Sequence, residues 1–228
     1  MTDHPSWPIA LAQRATLPPF LALHPVPPPP PQARSALLWG DASVARIAMR
    51  TAATAINRGL IVAVIDAAMA FDVTVIAAYA QARRVSPARF LRHLHIARAF
   101  TCHQMATLLC ERLDALVASQ RVGFVILLGP CTTFFDENVP FKDAFLLFQR
   151  MLRKITALCT HGPLLLMAQA LDGYRTRRTL FARELVKAVE LGIRVSTVEG
   201  RRHVQLVKPK RPSPSAASPV MQRSNSRR

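Results

Sequence analysis

Short apolar runs alternate with amphipathic stretches from Ala36 onwards, and this pattern constrains the fold of the 228-residue chain more than any other feature. Mostly apolar runs of this length are typical of parallel strands covered on both faces. Strands are predicted at residues 35–39, 60–66, 94–97, 123–128 and 163–168. Helices are predicted at residues 42–57, 72–82, 103–119 and 142–159, where apolar residues recur every three or four positions. The sequence therefore predicts an α/β domain around a mostly parallel sheet.

The two ends of the chain have a different composition. Residues 1–34 include the proline run 27–31, which predicts a flexible, extended arm. Alternation on both sides of Glu199 and Gly200 predicts a β-hairpin that adds antiparallel strands to one edge of the sheet. Residues 211–228 are basic and offer almost nothing to bury, so they predict a disordered tail. One core domain is thus expected over residues 35–210.

The chain is strongly basic, with 30 Lys and Arg against 13 Asp and Glu and a formal net charge of +17. Such a charge favours polyanions, because each neutralised phosphate releases counterions, and DNA is the predicted partner. The alternative is a solvated basic surface that reflects only an arginine-rich composition. Asp66 and Asp72 interrupt the longest apolar region, which argues against a membrane span. No secretory signal is evident, so a cytoplasmic, nucleoid-associated protein is expected.

The first predicted strand leads to the position where a nucleotide-binding α/β protein carries a glycine-rich phosphate loop. Gly40 matches the first glycine of the motif G-x-x-x-x-G-K-[ST]. Its second glycine, lysine and hydroxyl are replaced by Ala45, Arg46 and Ile47. Arg46 could still hold a phosphate charge, but Asp41 repels phosphate and Ile47 cannot ligate Mg²⁺. A degenerate nucleotide site at Gly40 and Arg46 is the prediction.

Residues 95–105, HIARAFTCHQM, resemble the ARAYNSDHQ segment of RecA- and RadA-type recombinases. The strand that ends at Asp66 is similar to the family's YIDTE segment, and the strand that ends at Gln169 is similar to its LLTNQ segment. The resemblance covers roughly residues 35–212, most of a domain of this size. It implies a three-layer RecA-like P-loop NTPase core with a mostly parallel sheet and a C-terminal antiparallel hairpin.

The family's catalytic positions carry no catalytic residues in this chain. Ala68 stands where the family has the glutamate that activates water, and Gly129 stands where it has the magnesium-binding aspartate. The resemblance therefore implies a pseudo-ATPase with no ATP, magnesium or other cofactor. Gln169 matches the position that senses the γ-phosphate, although a polar residue at a strand end is also ordinary turn chemistry.

The family's mobile DNA-binding loop follows the position of Gln169, and here residues 172–178 supply three arginines and a tyrosine. The alternative is the solvated start of a helix. The predicted nucleic-acid contacts, with those of the hairpin and tail, are Arg175, Arg177, Arg178, Arg201, Arg202, Lys208, Lys210 and Arg211. The family's other DNA loop corresponds to residues 134–141, where phenylalanines and acids favour contact with a protein.

Cysteines and histidines show no ligand spacing, so buried thiols and no metal site are expected. The expected function is a non-catalytic RecA-like accessory protein in DNA repair or recombination. Its partners would be DNA and another RecA-like or DNA-repair protein. One alternative is a weak ATPase in which Arg46 replaces the lysine and Asp66 or Asp136 binds magnesium. Another is a regulator of a polymerase or recombinase complex that acts through protein contacts alone.

Overall fold

The computed structural model describes residues 33–171, 178–199 and 201–208, and within them one seven-stranded sheet. Its strands are β1 (Ser35–Gly40), β2 (Val62–Asp66), β3 (Leu94–Arg98), β4 (Phe124–Leu128), β5 (Leu164–Ala170), β6 (Leu191–Val198) and β7 (Arg201–Lys208). Their order across the sheet is β3-β2-β4-β5-β1-β6-β7. Strands β1 to β6 are parallel, and β7 runs antiparallel to β6. The predicted α/β class and the antiparallel pair at one edge are confirmed.

Helices cover both faces of the sheet, which gives three layers. One face is packed by α1 (Ser43–Asn57), α2 (Val73–Ala82) and α3 (Pro87–Leu91). The other is packed by α4 (Cys102–Thr107), α5 (Leu113–Gln120), α6 (Phe141–His161) and α7 (Thr179–Ala188). A π-helical turn, Leu108–Arg112, joins α4 to α5, so the helix predicted over residues 103–119 is present but interrupted. The short helix α3 was not predicted.

Burial follows the apolar pattern from which the elements were predicted. Every residue of β2 and β4 is buried, as expected for central strands with helices on both faces. The buried side chains of α6 recur every three or four residues, at Ala144, Phe148, Met151, Ile155 and Leu158. The buried apolar side chains of these strands and helices form a core on each side of the sheet.

Two expectations about strand position are wrong. The strand predicted at residues 94–97 was expected to be central, but β3 is an edge strand and Ile96 is 44% exposed. The hairpin was expected to add two antiparallel strands, but β6 pairs in parallel with β1 and only β7 is antiparallel. Both errors have the same cause, because apolar periodicity identifies a strand without showing which neighbour it pairs with.

The packed core begins slightly before the predicted boundary at residue 35. Ala33 is buried, and the Arg34 guanidinium donates to the Gly162 carbonyl at 2.6 Å. The predicted arm, apart from these two residues, and the predicted tail lie outside the described residues. Among the helices of the described part, none is long and apolar enough to cross a membrane.

Candidate functional site

The connection between β1 and α1 has the place of a phosphate loop but a different geometry. Only Asp41 and Ala42 separate Gly40, the last residue of β1, from Ser43, the first residue of α1. Gly40 has a φ of 144°, and a Cβ atom there would lie 1.6 Å from the Val195 carbonyl oxygen. The close approach of β6 therefore accounts for this glycine. A connection of two residues leaves no loop of N–H groups to surround a phosphate.

A carboxylate of the chain itself lies at the start of α1. Asp41 Oδ1 accepts a hydrogen bond from the Ser43 backbone N–H at 2.8 Å. Burial acts to raise the pKa of Asp41, but hydrogen bonds from Ser43 and Thr197 outweigh it and hold the pKa below its ordinary value. The helix N-terminus, which would attract a phosphate, therefore has a negative side chain beside it. Arg46 is exposed on the first turns of α1.

The two positions where the resemblance implied catalytic carboxylates lie against each other. Gly129 has a φ of 63°, and a Cβ atom there would lie 2.5 Å from the Ala68 Cβ and 2.5 Å from Thr132 Oγ1. A side chain at residue 129 thus has no space without movement of its neighbours. The two residues follow the ends of β2 and β4, and the Ala68 methyl group lies against Gly129, so the two loops approach each other closely.

Asp66, at the end of β2, is fully buried and holds the following loop. Its Oδ1 accepts from the backbone N–H groups of Ala68 and Ala70, at 3.2 and 3.1 Å. Its Oδ2 accepts from the Phe71 N–H at 3.0 Å and lies 3.9 Å from Arg98 Nε. Both oxygens are therefore used to fold the β2–α2 loop, which gives the carboxylate a structural role.

Gln169, at the end of β5, is 1% exposed and joins β5 to the β4–α6 loop. Its Oε1 accepts from the Cys131 N–H at 2.7 Å. Its Nε2 donates to the Ala170 carbonyl at 2.8 Å and to Thr132 Oγ1 at 3.4 Å. The amide at the position that the resemblance assigns to a phosphate sensor is thus satisfied by hydrogen bonds within the chain.

The observed contacts of Arg178 differ from those expected for its predicted role in phosphate binding. Its side chain is only 7% exposed, and its guanidinium donates to the carbonyls of Phe134, Asp136 and Val139 at 3.0, 2.7 and 2.5 Å. The prediction for this residue is therefore corrected: Arg178 holds the β4–α6 loop. In a run of arginines, the sequence does not show which side chain turns inward. Arg175 and Arg177 lie outside the described residues.

An open cavity lies between the loops at the carboxyl ends of β2, β3 and β4. Its volume is about 380 Å³. The lining residues are Ala67, Met69, Ala99, Phe100, Thr132, Thr133, Phe135 and Asp136. In a parallel sheet the carboxyl ends of the strands are where ligands commonly bind. We call this space the β2–β4 cavity. Sequence reasoning missed it, because its lining comes from three separate loops.

The β6–β7 hairpin has one packed face and one open face. Val204 and Leu206 pack against the core. The register places Arg194, Ser196 and Val198 of β6 opposite Gln205, His203 and Arg201 of β7, and these paired residues share the other face. We call this second set the open hairpin face. A cavity of about 470 Å³ is lined by Arg194, Ser196, His203 and Gln205 of this face and by Arg202 and Val204 of β7.

Positive charge on the hairpin is available to a ligand. Arg194, Arg201 and Arg202 are exposed, and no ion pair within the described residues involves them. Arg201 and Arg202 were predicted as nucleic-acid contacts, whereas Arg194 was missed, because a strand residue becomes exposed only where the covering helices stop. Lys208 lies in β7, and Lys210 and Arg211 lie outside the described residues.

In the described part of the chain, the cysteines and the other metal-binding residue types do not form a second candidate site. Cys102 and Cys131 are buried free thiols, and burial raises the pKa of Cys131 well above its ordinary value. In residues 33–171, 178–199 and 201–208, no three His, Cys, Asp or Glu side chains lie close enough together to hold a metal ion.

No family model and no curated protein matches the chain. The resemblance to RecA- and RadA-type recombinases therefore stays a prediction. Binding of DNA and of a partner protein stays a prediction as well.

Proposed function

We propose that this chain is a non-catalytic accessory protein of DNA repair or recombination, with a RecA-like core that binds DNA and a partner protein. The open hairpin face is the observation that carries the DNA-binding part. It presents exposed arginines and hydrogen-bonding side chains, and no carboxylate within the described residues neutralises these arginines. Such a surface binds phosphates by charge and by hydrogen bonds.

The geometry at the carboxyl end of the sheet supports the non-catalytic part. Asp41 places a negative charge at the start of α1, and Ala68 and Gly129 fill the space between their loops. Phosphoryl transfer depends on positive charge and positioned metal ligands at these places. A core that keeps the sheet but has a two-residue β1–α1 connection with a carboxylate beside the helix start fits a binding module better than a hydrolase.

Measurement of DNA affinity over a salt series tests the proposal. Labelled single-stranded and duplex DNA would be titrated with the wild-type chain and with a hairpin variant, Arg194→Gln, Arg201→Gln and Arg202→Gln combined. The matched control removes three exposed arginines near the opposite edge of the sheet, Arg58→Gln, Arg89→Gln and Arg92→Gln. Both variants lose the same net charge, so only position distinguishes them.

We expect the hairpin variant to weaken DNA binding about tenfold or more relative to the control. It should also flatten the slope of log affinity against log salt by about 0.7 to 0.9 for each phosphate that the arginines no longer neutralise. Equal effects of the two variants would show that the hairpin is not the interface. Negligible binding by the wild-type chain at physiological salt would refute the DNA-binding role and favour a regulator that acts through protein contacts.

A further inference from the structure

The β6–β7 hairpin extends beyond the rest of the sheet. Strand β1, the other neighbour of β6, pairs with it only as far as Val195. Strands β6 and β7 stay paired past that point, up to Val198 opposite Arg201. We call residues 196–199 and 201–203 the hairpin tip. At about 3.4 Å a residue, the paired residues of each strand carry the tip about 10 Å past the end of β1.

Both faces of the hairpin tip are exposed. Successive residues of a strand point to opposite faces, so Arg201 shares one face with Val198, and Arg202 shares the other with Thr197. All four side chains are exposed. No helix in the described part of the chain therefore covers the tip on either side. Further from the tip, by contrast, one face of the hairpin packs against the core.

Positive charge lies on both faces of the tip. Arg201 and Arg202 belong to no ion pair among the residues that the structure describes. Charge on both faces of a ribbon is matched where phosphates lie on both sides of it. A groove of duplex DNA offers this arrangement, since a sugar–phosphate backbone forms each wall. A single strand laid along the hairpin would meet only one of the two faces.

The dimensions of the tip match the major groove rather than the minor groove. The major groove of B-DNA is about 12 Å wide and about 8.5 Å deep and admits a two-stranded β-ribbon. A tip of about 10 Å therefore reaches the floor of that groove. The minor groove, about 6 Å wide, is too narrow for two strands about 4.8 Å apart with their side chains.

The turn of the hairpin carries a carboxylate at its end. Two residues separate Val198 from Arg201, and Glu199, the first of them, is exposed with a φ of 51°, as tight hairpin turns require. A carboxylate is repelled by phosphates, so this residue is unfavourable on a surface that follows a DNA backbone. In the major groove it accepts a hydrogen bond from the amino group of cytosine. An acid at the end with arginines behind it therefore matches base edges at the floor and phosphates along the walls.

We propose that the hairpin tip enters the major groove of duplex DNA. Glu199 faces the base edges, and Arg201 and Arg202 each face the phosphates of one wall. This inference rests on the DNA-binding half of the proposed function and narrows its ligand to a duplex of the B form. Duplex RNA is excluded as a ligand of the tip, because its major groove is too deep and narrow for side chains to read.

Four nucleic acids of one sequence test the groove directly. Fluorescence anisotropy would measure the affinity of the full chain for a duplex DNA, its single strand, the corresponding duplex RNA and a glucosylated duplex DNA. In the last, every cytosine is replaced by glucosylated 5-hydroxymethylcytosine, whose sugar fills the major groove and leaves the charge and the minor groove unchanged. We expect the plain duplex to bind about tenfold or more tighter than each of the other three.

A variant of the tip and a matched control locate the contact. The tip variant combines Glu199→Ala, Arg201→Ala and Arg202→Ala. The control combines Arg58→Ala, Arg89→Ala and Glu137→Ala, which changes the net charge equally at exposed residues outside the hairpin. The control should keep the tenfold preference for the plain over the glucosylated duplex, and the tip variant should lose it. Thermal unfolding would check that both variants are folded.

Glu199→Ala alone tests where the carboxylate lies. Its loss should weaken binding of the plain duplex, because a contact to cytosine is removed. Tighter binding of the plain duplex by this variant would show that the tip meets phosphates instead and would overturn the proposal.

Three further results would overturn the proposal: equal affinity of the wild type for plain and glucosylated duplexes, binding of the single strand or the RNA as tight as that of the plain duplex, or equal preferences in the tip variant and the control. Each of these leaves a DNA-binding protein whose tip does not enter the groove. Failure of the wild type to bind any of the four nucleic acids would instead refute the DNA-binding role itself, and the groove with it.

Discussion

Replacement of Arg178 with methionine separates the two roles considered for this residue. Methionine keeps most of the apolar stem and removes every donor. The three backbone carbonyls of Phe134, Asp136 and Val139 then have no hydrogen bond from the guanidinium. Bonds to a charged group contribute about 1.5 kcal/mol each at the low end of their range, so three give about 4–5 kcal/mol. That is a large fraction of the stability of a typical domain.

Equilibrium unfolding in urea measures this destabilisation. Arg183→Met is the matched control, because Arg183 is an exposed arginine on α7, and its replacement should change the free energy of unfolding by less than about 0.5 kcal/mol. Arg178→Met should lower it by about 4–5 kcal/mol with a similar dependence on urea. A variant as stable as the wild type but unable to bind DNA would refute the structural role and restore the predicted role in phosphate binding.

Three further predictions concern the loops at the carboxyl ends of β1, β2 and β4. Gly129→Ala should destabilise the chain by about 1–3 kcal/mol in thermal unfolding, because the new Cβ atom meets the Ala68 Cβ. Adding Ala68→Gly should recover part of the stability, whereas no destabilisation by the single variant would contradict the contact. Asp66→Asn should lower the free energy of unfolding by about 1–3 kcal/mol and speed amide hydrogen exchange at Phe71, since an amide offers one acceptor oxygen in place of two. Unchanged exchange at Phe71 would argue against the loop contact. The pKa of Asp41 is lowered in the folded state, so its contribution to the free energy of unfolding is present at neutral pH and is lost as the pH falls below about 4. Asp41→Asn should therefore lose less stability in acid than the wild type. Identical acid dependence of the two proteins would disprove this contribution.

The apolar pattern was sufficient to predict most elements within one or two residues. Strands β1, β2, β4 and β5 and helices α1, α2 and α6 all match their predicted positions closely. The reason is local, because a strand buried between helices must be apolar throughout and a helix on a sheet must be apolar on one side. The parallel pairing of β6 and the edge position of β3 were not predictable in this way, since pairing depends on residues far apart in the chain.

The same distinction between local pattern and long-range contact applies to the candidate functional residues. The sequence showed which residues stand, around Gly40, Ala68 and Gly129, at the positions that the resemblance assigns to a phosphate loop and its carboxylates. It did not show that Arg178 turns inward, that Arg194 is exposed, or that Thr133 lacks a partner among the described residues. Each of these facts depends on which loops and helices pack over the residue.

The sequence by itself determined the α/β class, the positions of most strands and helices, the net charge and the small residues at the ends of β2 and β4. Those properties follow from local periodicity and residue chemistry. Only the tertiary structure decided which polar residues are buried and hold loops in place, where the hairpin face stays open and where three loops border an open cavity. Burial and contact are made between segments distant in the chain, and no local pattern specifies them.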